Sequence, residues 1–85
     1  MQIELEFFGA LRGLEAEDRM LLAVKGAAVA DARSALQAHA KGHWPQAAES
    51  LLPSCAFSTA SEILRDPQQL PADGKLAVLP PVSGG

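Results

Sequence analysis

The sequence predicts an α+β domain in which one main helix covers a mixed sheet of about five strands. Three observations lead there. Apolar and polar residues alternate in two segments near the start of the chain. An alanine-rich stretch after them carries apolar residues at helical spacing. The most continuously apolar short segment comes last, just before a pair of prolines.

Ile3, Leu5 and Phe7 alternate with Gln2, Glu4 and Glu6, the period of a strand with one buried face. A short helical turn is expected over Phe8 to Leu14, closed by Gly13, followed by a polar connection over Glu15 to Asp18. Met20, Leu22 and Val24 alternate again and give a second strand, paired antiparallel with the first. The main helix is expected over Ala27 to Lys41, with Val29, Ala32, Leu36 and Ala40 as its buried stripe. Asp31 and Lys41 suit the two ends of its dipole, Ala28 is a poor N-cap, and Gly42 is the expected C-cap.

Pro45 suits the first turn of a second short helix, Pro45 to Leu52. A third strand is read at Cys55 to Thr59 and a short fourth at Glu62 to Leu64. The fifth strand, Lys75 to Leu79, has Leu76, Val78 and Leu79 apolar and is expected to be buried on both faces. A central last strand must pair parallel with the first. Strand, strand, helix and three further strands in this arrangement describe the β-grasp, or ubiquitin-like, architecture. Residues 1–79 form the body and residues 80–85 a separate tail.

The chain is long enough for one modest core and too short for a deep pocket of its own. Its net charge of −3, with no basic cluster, argues against a nucleic-acid partner. No apolar run is long enough to span a bilayer. Met1 opens directly into a strand, without the pattern of a secretory leader, and Cys55 is the single cysteine. These features lead us to expect a cytoplasmic protein.

The tail carries the functional signal. Gly84 and Gly85 add backbone entropy and nothing to pack, so a folded body gains little from them. They are either frayed terminal residues or, if the end itself is the working part, a feature with a purpose. Without Cβ atoms, such a tail passes through a narrow channel into another protein's active site, and its terminal carboxylate is open to activation as an acyl-adenylate. Pro80-Pro81 ends the last strand, because neither residue can donate to a ladder, and stiffens the exit.

The order of elements, the Phe7-Phe8-Gly9-Ala10-Leu11-Arg12 continuation of the first strand, the Leu70-Pro71-Ala72-Asp73-Gly74 turn and above all the Pro80-Pro81-Val82-Ser83-Gly84-Gly85 end resemble the MoaD/ThiS sulfur-carrier family. Within it the closest pattern is that of the small subunit of molybdopterin synthase. The likeness runs over nearly the whole chain. The segment Ala56-Phe57-Ser58-Thr59 departs from it where the family often has an asparagine, and Gly74-Lys75 where an acidic pair is common.

The resemblance implies that Gly85, preceded by Gly84, is adenylated and converted to a thiocarboxylate. That thiocarboxylate donates sulfur to a pyranopterin precursor in molybdenum cofactor biosynthesis. The implied partners are the large catalytic subunit of molybdopterin synthase, a ubiquitin-activating-type adenylyltransferase and a sulfur donor enzyme. ATP and Mg²⁺ belong to the activating enzyme, and this chain is expected to bind no cofactor. Val78, Leu79, Pro80, Pro81, Val82 and Ser83 are the expected partner contacts. Alternatives with the same activation step are sulfur carriage for thiamine, cysteine or tRNA thiolation, and ubiquitin-like protein modification. An inert-tailed binding module is a further alternative.

Other chemistry-bearing residues read as structural. His39 and His43 have the spacing of a metal pair, but no acidic residue lies between them, and no metal site is expected. Cys55 is expected to be a buried thiol, Trp44 to cover the end of the core, and Phe7, Phe8 and Phe57 to be core residues. Glu4 and Glu6 read as the solvated side of a strand rather than a catalytic pair.

Overall fold

The structure, a computed structural model, describes residues 1–81 of the chain; Val82, Ser83, Gly84 and Gly85 lie outside the described residues. A five-stranded sheet, in the order β2-β1-β5-β3-β4, carries one long helix on one face. The strands are β1 (Gln2–Phe7), β2 (Arg19–Ala23), β3 (Ala56–Ser58), β4 (Ile63–Leu64) and β5 (Lys75–Leu79). The helices are α1 (Val29–His43) and a single-turn α2 (Gln46–Glu49).

The sheet is mixed because the last strand, β5, lies between β1 and β3. It pairs parallel with β1, Leu5 opposite Leu76 and Phe7 opposite Val78. It pairs antiparallel with β3, Phe57 opposite Val78. β1 and β2 form the expected antiparallel pair, with Ile3 opposite Leu22. The alternation in β1 follows from this one-sided packing: Ile3, Leu5 and Phe7 are buried while Gln2 and Glu6 face water.

The stripe Val29, Ala32, Leu36 and Ala40 of α1 is wholly buried, in one core with Ile3, Leu5, Phe7, Phe57, Leu76 and Val78. Burial of this stripe, rather than alanine propensity alone, holds a helix of this length in place. Each large side chain so buried contributes roughly 1.5–3 kcal/mol of transfer free energy. The first turn of α1 is capped by backbone. Val29 N–H donates to Gln68 O at 2.9 Å and Ala30 N–H to Asp66 O at 3.0 Å. The Asp31 carboxylate accepts from Ala28 N–H at 3.0 Å. A neighbouring loop and Asp31 thus replace the cap that Ala28 lacks.

Four expectations are corrected. α1 does not stop before Gly42 but continues to His43, and Trp44 N–H donates to Ala40 O at 2.9 Å. The indole of Trp44 is buried edge-on against Phe7, 5.4 Å between ring centroids, and this packing carries the helix past the glycine. The second helix is shorter than Pro45 to Leu52. Pro53 has no N–H to continue it, and the chain tightens into a 3-10 turn at Leu52–Ser54. β5 is buried on one face only: Leu76 and Val78 point into the core, Lys75 is exposed, and Ala77 and Leu79 are half-buried on the face without a helix. Phe8 is not a core residue. It falls on that same outer face and is 39% exposed.

Candidate docking site at the root of the tail

The tail leaves the sheet at the end of its central strand. Phe8 N–H donates to Val78 O at 3.3 Å, the last rung between the β1 side and β5. Beyond it Pro80 has no N–H to offer, so the ladder stops there. After Phe8 the chain folds into a 3-10 turn at Gly9–Leu11, closed by Leu11 N–H to Phe8 O and Arg12 N–H to Gly9 O, each at 3.1 Å. Leu11 is fully buried and anchors the turn. Gly9 takes φ +59° and lies directly against the Pro80 ring.

Outside the core the sheet presents an open face. Leu21 is 62% and Ile63 64% exposed, and Phe8 and Leu79 lie between those edges. Phe8, Leu79, Ala77, Ser58 and Thr59 line a shallow depression with Glu4, Glu6 and Lys75 at its rim. Arg19 approaches Glu4 at 3.8 Å across this face. Apolar centre and charged rim together form a surface suited to another protein, not a cavity that encloses a small molecule.

The sequence-predicted contact residues divide at this point. Leu79 and Pro80 are half-buried and Pro81 is exposed, all at the tail root. Val78 is fully buried in the core. Its side chain holds β5 to the helix layer and leaves surface contact to its neighbours. Val82, Ser83, Gly84 and Gly85 lie outside the described residues.

Two polar centres that sequence reasoning missed stiffen the body. Glu15, 19% exposed, accepts from Trp44 Nε1–H and from His39 Nε2–H, both at 2.8 Å. His43 stacks on His39 with ring centroids 4.3 Å apart. Burial works to raise the Glu15 carboxyl, but the hydrogen bonds from Trp44 and His39 and the charges of both histidines outweigh it. The group sits below the ordinary glutamate range. His39 is therefore a latch between α1 and the β1–β2 connection. No cluster of three metal-ligating side chains occurs among the described residues.

The second centre is Arg33 on α1. Its Nη1 donates at 2.8 Å to both Leu52 O and Cys55 O, and its Nη2 and Nε donate to Asp66 at 2.9 and 3.2 Å. The guanidinium also lies 4.9 Å from the Phe57 ring centroid. Cys55 is buried as expected, and burial pushes its thiol up despite the nearby Arg33 charge. Neither centre left a local signal, because each joins residues distant in sequence.

Fold and surface together define a ubiquitin-like β-grasp protein, a small body built around a C-terminal strand. No family model and no curated protein matches the chain. Solved structures do. SAMP1 from Haloferax volcanii is 26% identical over the whole of both chains, with a TM-score of 0.65. A chain in the complex of subunits 1 and 2 of molybdopterin-converting factor from Helicobacter pylori 26695 is 23% identical, again over the whole of both chains, with a TM-score of 0.62. The latter likeness is one of fold. No helix among the described residues is long and apolar enough to cross a membrane.

Proposed function

We propose that this chain is a sulfur carrier that serves as the small, sulfur-donating subunit of a molybdopterin synthase. The observation that carries the reading is the diglycine end on a β-grasp body, rooted through Pro80-Pro81 in the central strand. The full-length likeness in fold to a chain of the molybdopterin-converting factor complex supports it.

The chemistry resides in the Gly85 carboxylate. It attacks the α-phosphate of ATP on an adenylating enzyme, pyrophosphate leaves, and an acyl-adenylate forms. Sulfide (HS⁻) adds to the carbonyl carbon and AMP departs with the electrons of the broken C–O bond, leaving the thiocarboxylate. Inside the large subunit the thiocarboxylate sulfur attacks an oxygen-bearing carbon of the pyranopterin precursor, a C–S bond forms, and the C–O bond at that carbon breaks with the oxygen taking the electron pair. Water then cleaves the acyl–sulfur bond and returns the carboxylate. Gly84 and Gly85 give the slim end that such a channel admits, and Pro80-Pro81 reduce the freedom lost on entry. The exposed apolar face beside Leu79 gives the large subunit a surface to hold while the tail is threaded.

The test is the intact mass of the protein after incubation with ATP, Mg²⁺, sulfide and an adenylating enzyme from the same cell. Replacement of one terminal oxygen by sulfur is expected, and deletion of Gly85 abolishes it. An unchanged mass, with an adenylating enzyme competent on another carrier, rejects the reading. Isopeptide attachment to lysines in place of sulfur transfer makes the chain a protein modifier. Sulfur delivered to thiamine, cysteine or tRNA precursors but not to a pterin retains the carrier and changes the pathway.

A further inference from the structure

We infer that Gly9 is a positioning residue that aims the tail, acting through the ring of Pro80. The inference rests on the carrier reading for its consequence, though not for its geometry. A Cβ built on Gly9 falls 2.9 Å from Pro80 Cγ, closer than side chains pack, and 3.5 Å from Cδ, an ordinary contact. Gly9 also has φ +59°, in the left-handed region. The turn bearing it cannot easily yield. It is closed by two hydrogen bonds, pinned from beneath by fully buried Leu11, and tied to β5 by Phe8 N–H to Val78 O. Pro80 is equally constrained, with φ fixed by its own ring and the end of the sheet ladder immediately before it. The two rigid parts meet on the bare face of a glycine, and their contact sets the direction in which the chain leaves the sheet.

A side chain at position 9 therefore displaces Pro80 and turns the tail root relative to the open face. A partner that grips this face and receives the tail reads both at once. Displacement at the root changes the direction in which the chain is offered to that partner, and misplacement on the order of 1 Å at a reacting group reduces rate by as much as about a hundredfold.

The test separates aim from folding. Asparagine tolerates the left-handed region better than other side chains, so Gly9→Asn adds the Cβ with little backbone strain. Its melting temperature is expected to stay near that of the wild type, while kcat/KM for thiocarboxylate formation by the adenylating enzyme falls roughly tenfold to a hundredfold. Pro80→Ala removes Cγ and Cδ, the atoms that the new Cβ meets. In that background Gly9→Asn is expected to cost nothing further. An equal loss in both backgrounds overturns the inference, as does full activity of the single variant or a loss explained by unfolding. If the wild type itself gains no sulfur, the carrier reading fails. The aim is then read without a partner, from NMR contacts between Gly9 Hα and the Pro80 ring and from displaced Pro81 signals in Gly9→Asn. Absence of those contacts in the wild type rejects the inference by itself.

Discussion

Replacing Arg33 with methionine removes a guanidinium that joins α1, the approach to β3 and the Asp66 loop, while keeping the apolar stem. Arg33 is 16% exposed, so little water is available to substitute for it. Leu52 O keeps a bond from Cys55 N–H, but Cys55 O loses its Arg33 donor. An unsatisfied buried acceptor costs about 1–3 kcal/mol. Loss of the contact with Phe57 adds about 0.5–1 kcal/mol. The Asp66 pair adds at most about 1 kcal/mol, because Asp66 is half exposed and solvent screens it. Arg33→Met is therefore expected to destabilise the fold by about 3 kcal/mol, a large part of a small domain's stability. That corresponds to a melting temperature lower by roughly 12–24 °C for a domain of this size. Urea denaturation with an unchanged m-value and a lowered midpoint checks it. Arg33→Lys, which retains a charge and loses the fork, should fall between the two. A variant that melts within about 4 °C of the wild type would refute the reasoning.

Two further perturbations follow from the loops around α1. A Cβ at Gly26 collides with the Asp31 carboxylate, which must then leave Ala28 N–H. Gly26→Ala is expected to cost about 1 kcal/mol, and almost nothing more in an Asp31→Ala background, as measured by a denaturation cycle. The depressed Glu15 carboxyl makes a pH-dependent contribution. It is present in full above the unfolded value of about 4.3 and is lost as pH falls through the lower folded value. Glu15→Gln should therefore destabilise the protein near neutrality, with the difference from wild type shrinking in strongly acidic urea titrations; a difference independent of pH contradicts the assignment.

The sheet was readable wherever one face of a strand meets the helix and the other meets water. Ile3, Leu5 and Phe7 declare that arrangement by their period, and a last strand richer in apolar residues than its neighbours is central. Leu79 misled the reading of β5, because an apolar residue on the open face of a sheet looks the same in sequence as one in a core. Phe8 did so for the same reason. Gly42 was a reasonable stop signal that the burial of Trp44 overrode. Arg33 and Glu15 were illegible, since their partners are brought near only by the completed fold. At the tail root, Pro80 announced the end of the ladder, but the meaning of Gly9 appears only once Pro80 is seen against it.

The parallel pairing of β1 with β5 also makes the body a check on its own completeness. The β1–β2 pair and the β3–β4 pair share no rung in the sheet; β5 alone joins them. A chain interrupted before Lys75 holds two hairpins with no common strand, and isolated hairpins are marginal in water. Such a fragment exposes core side chains and is open to proteolysis. Any partner that recognises the assembled sheet face would thus pass over truncated copies without reading the tail at all, because folding has already sorted the chains that carry its root from those that do not.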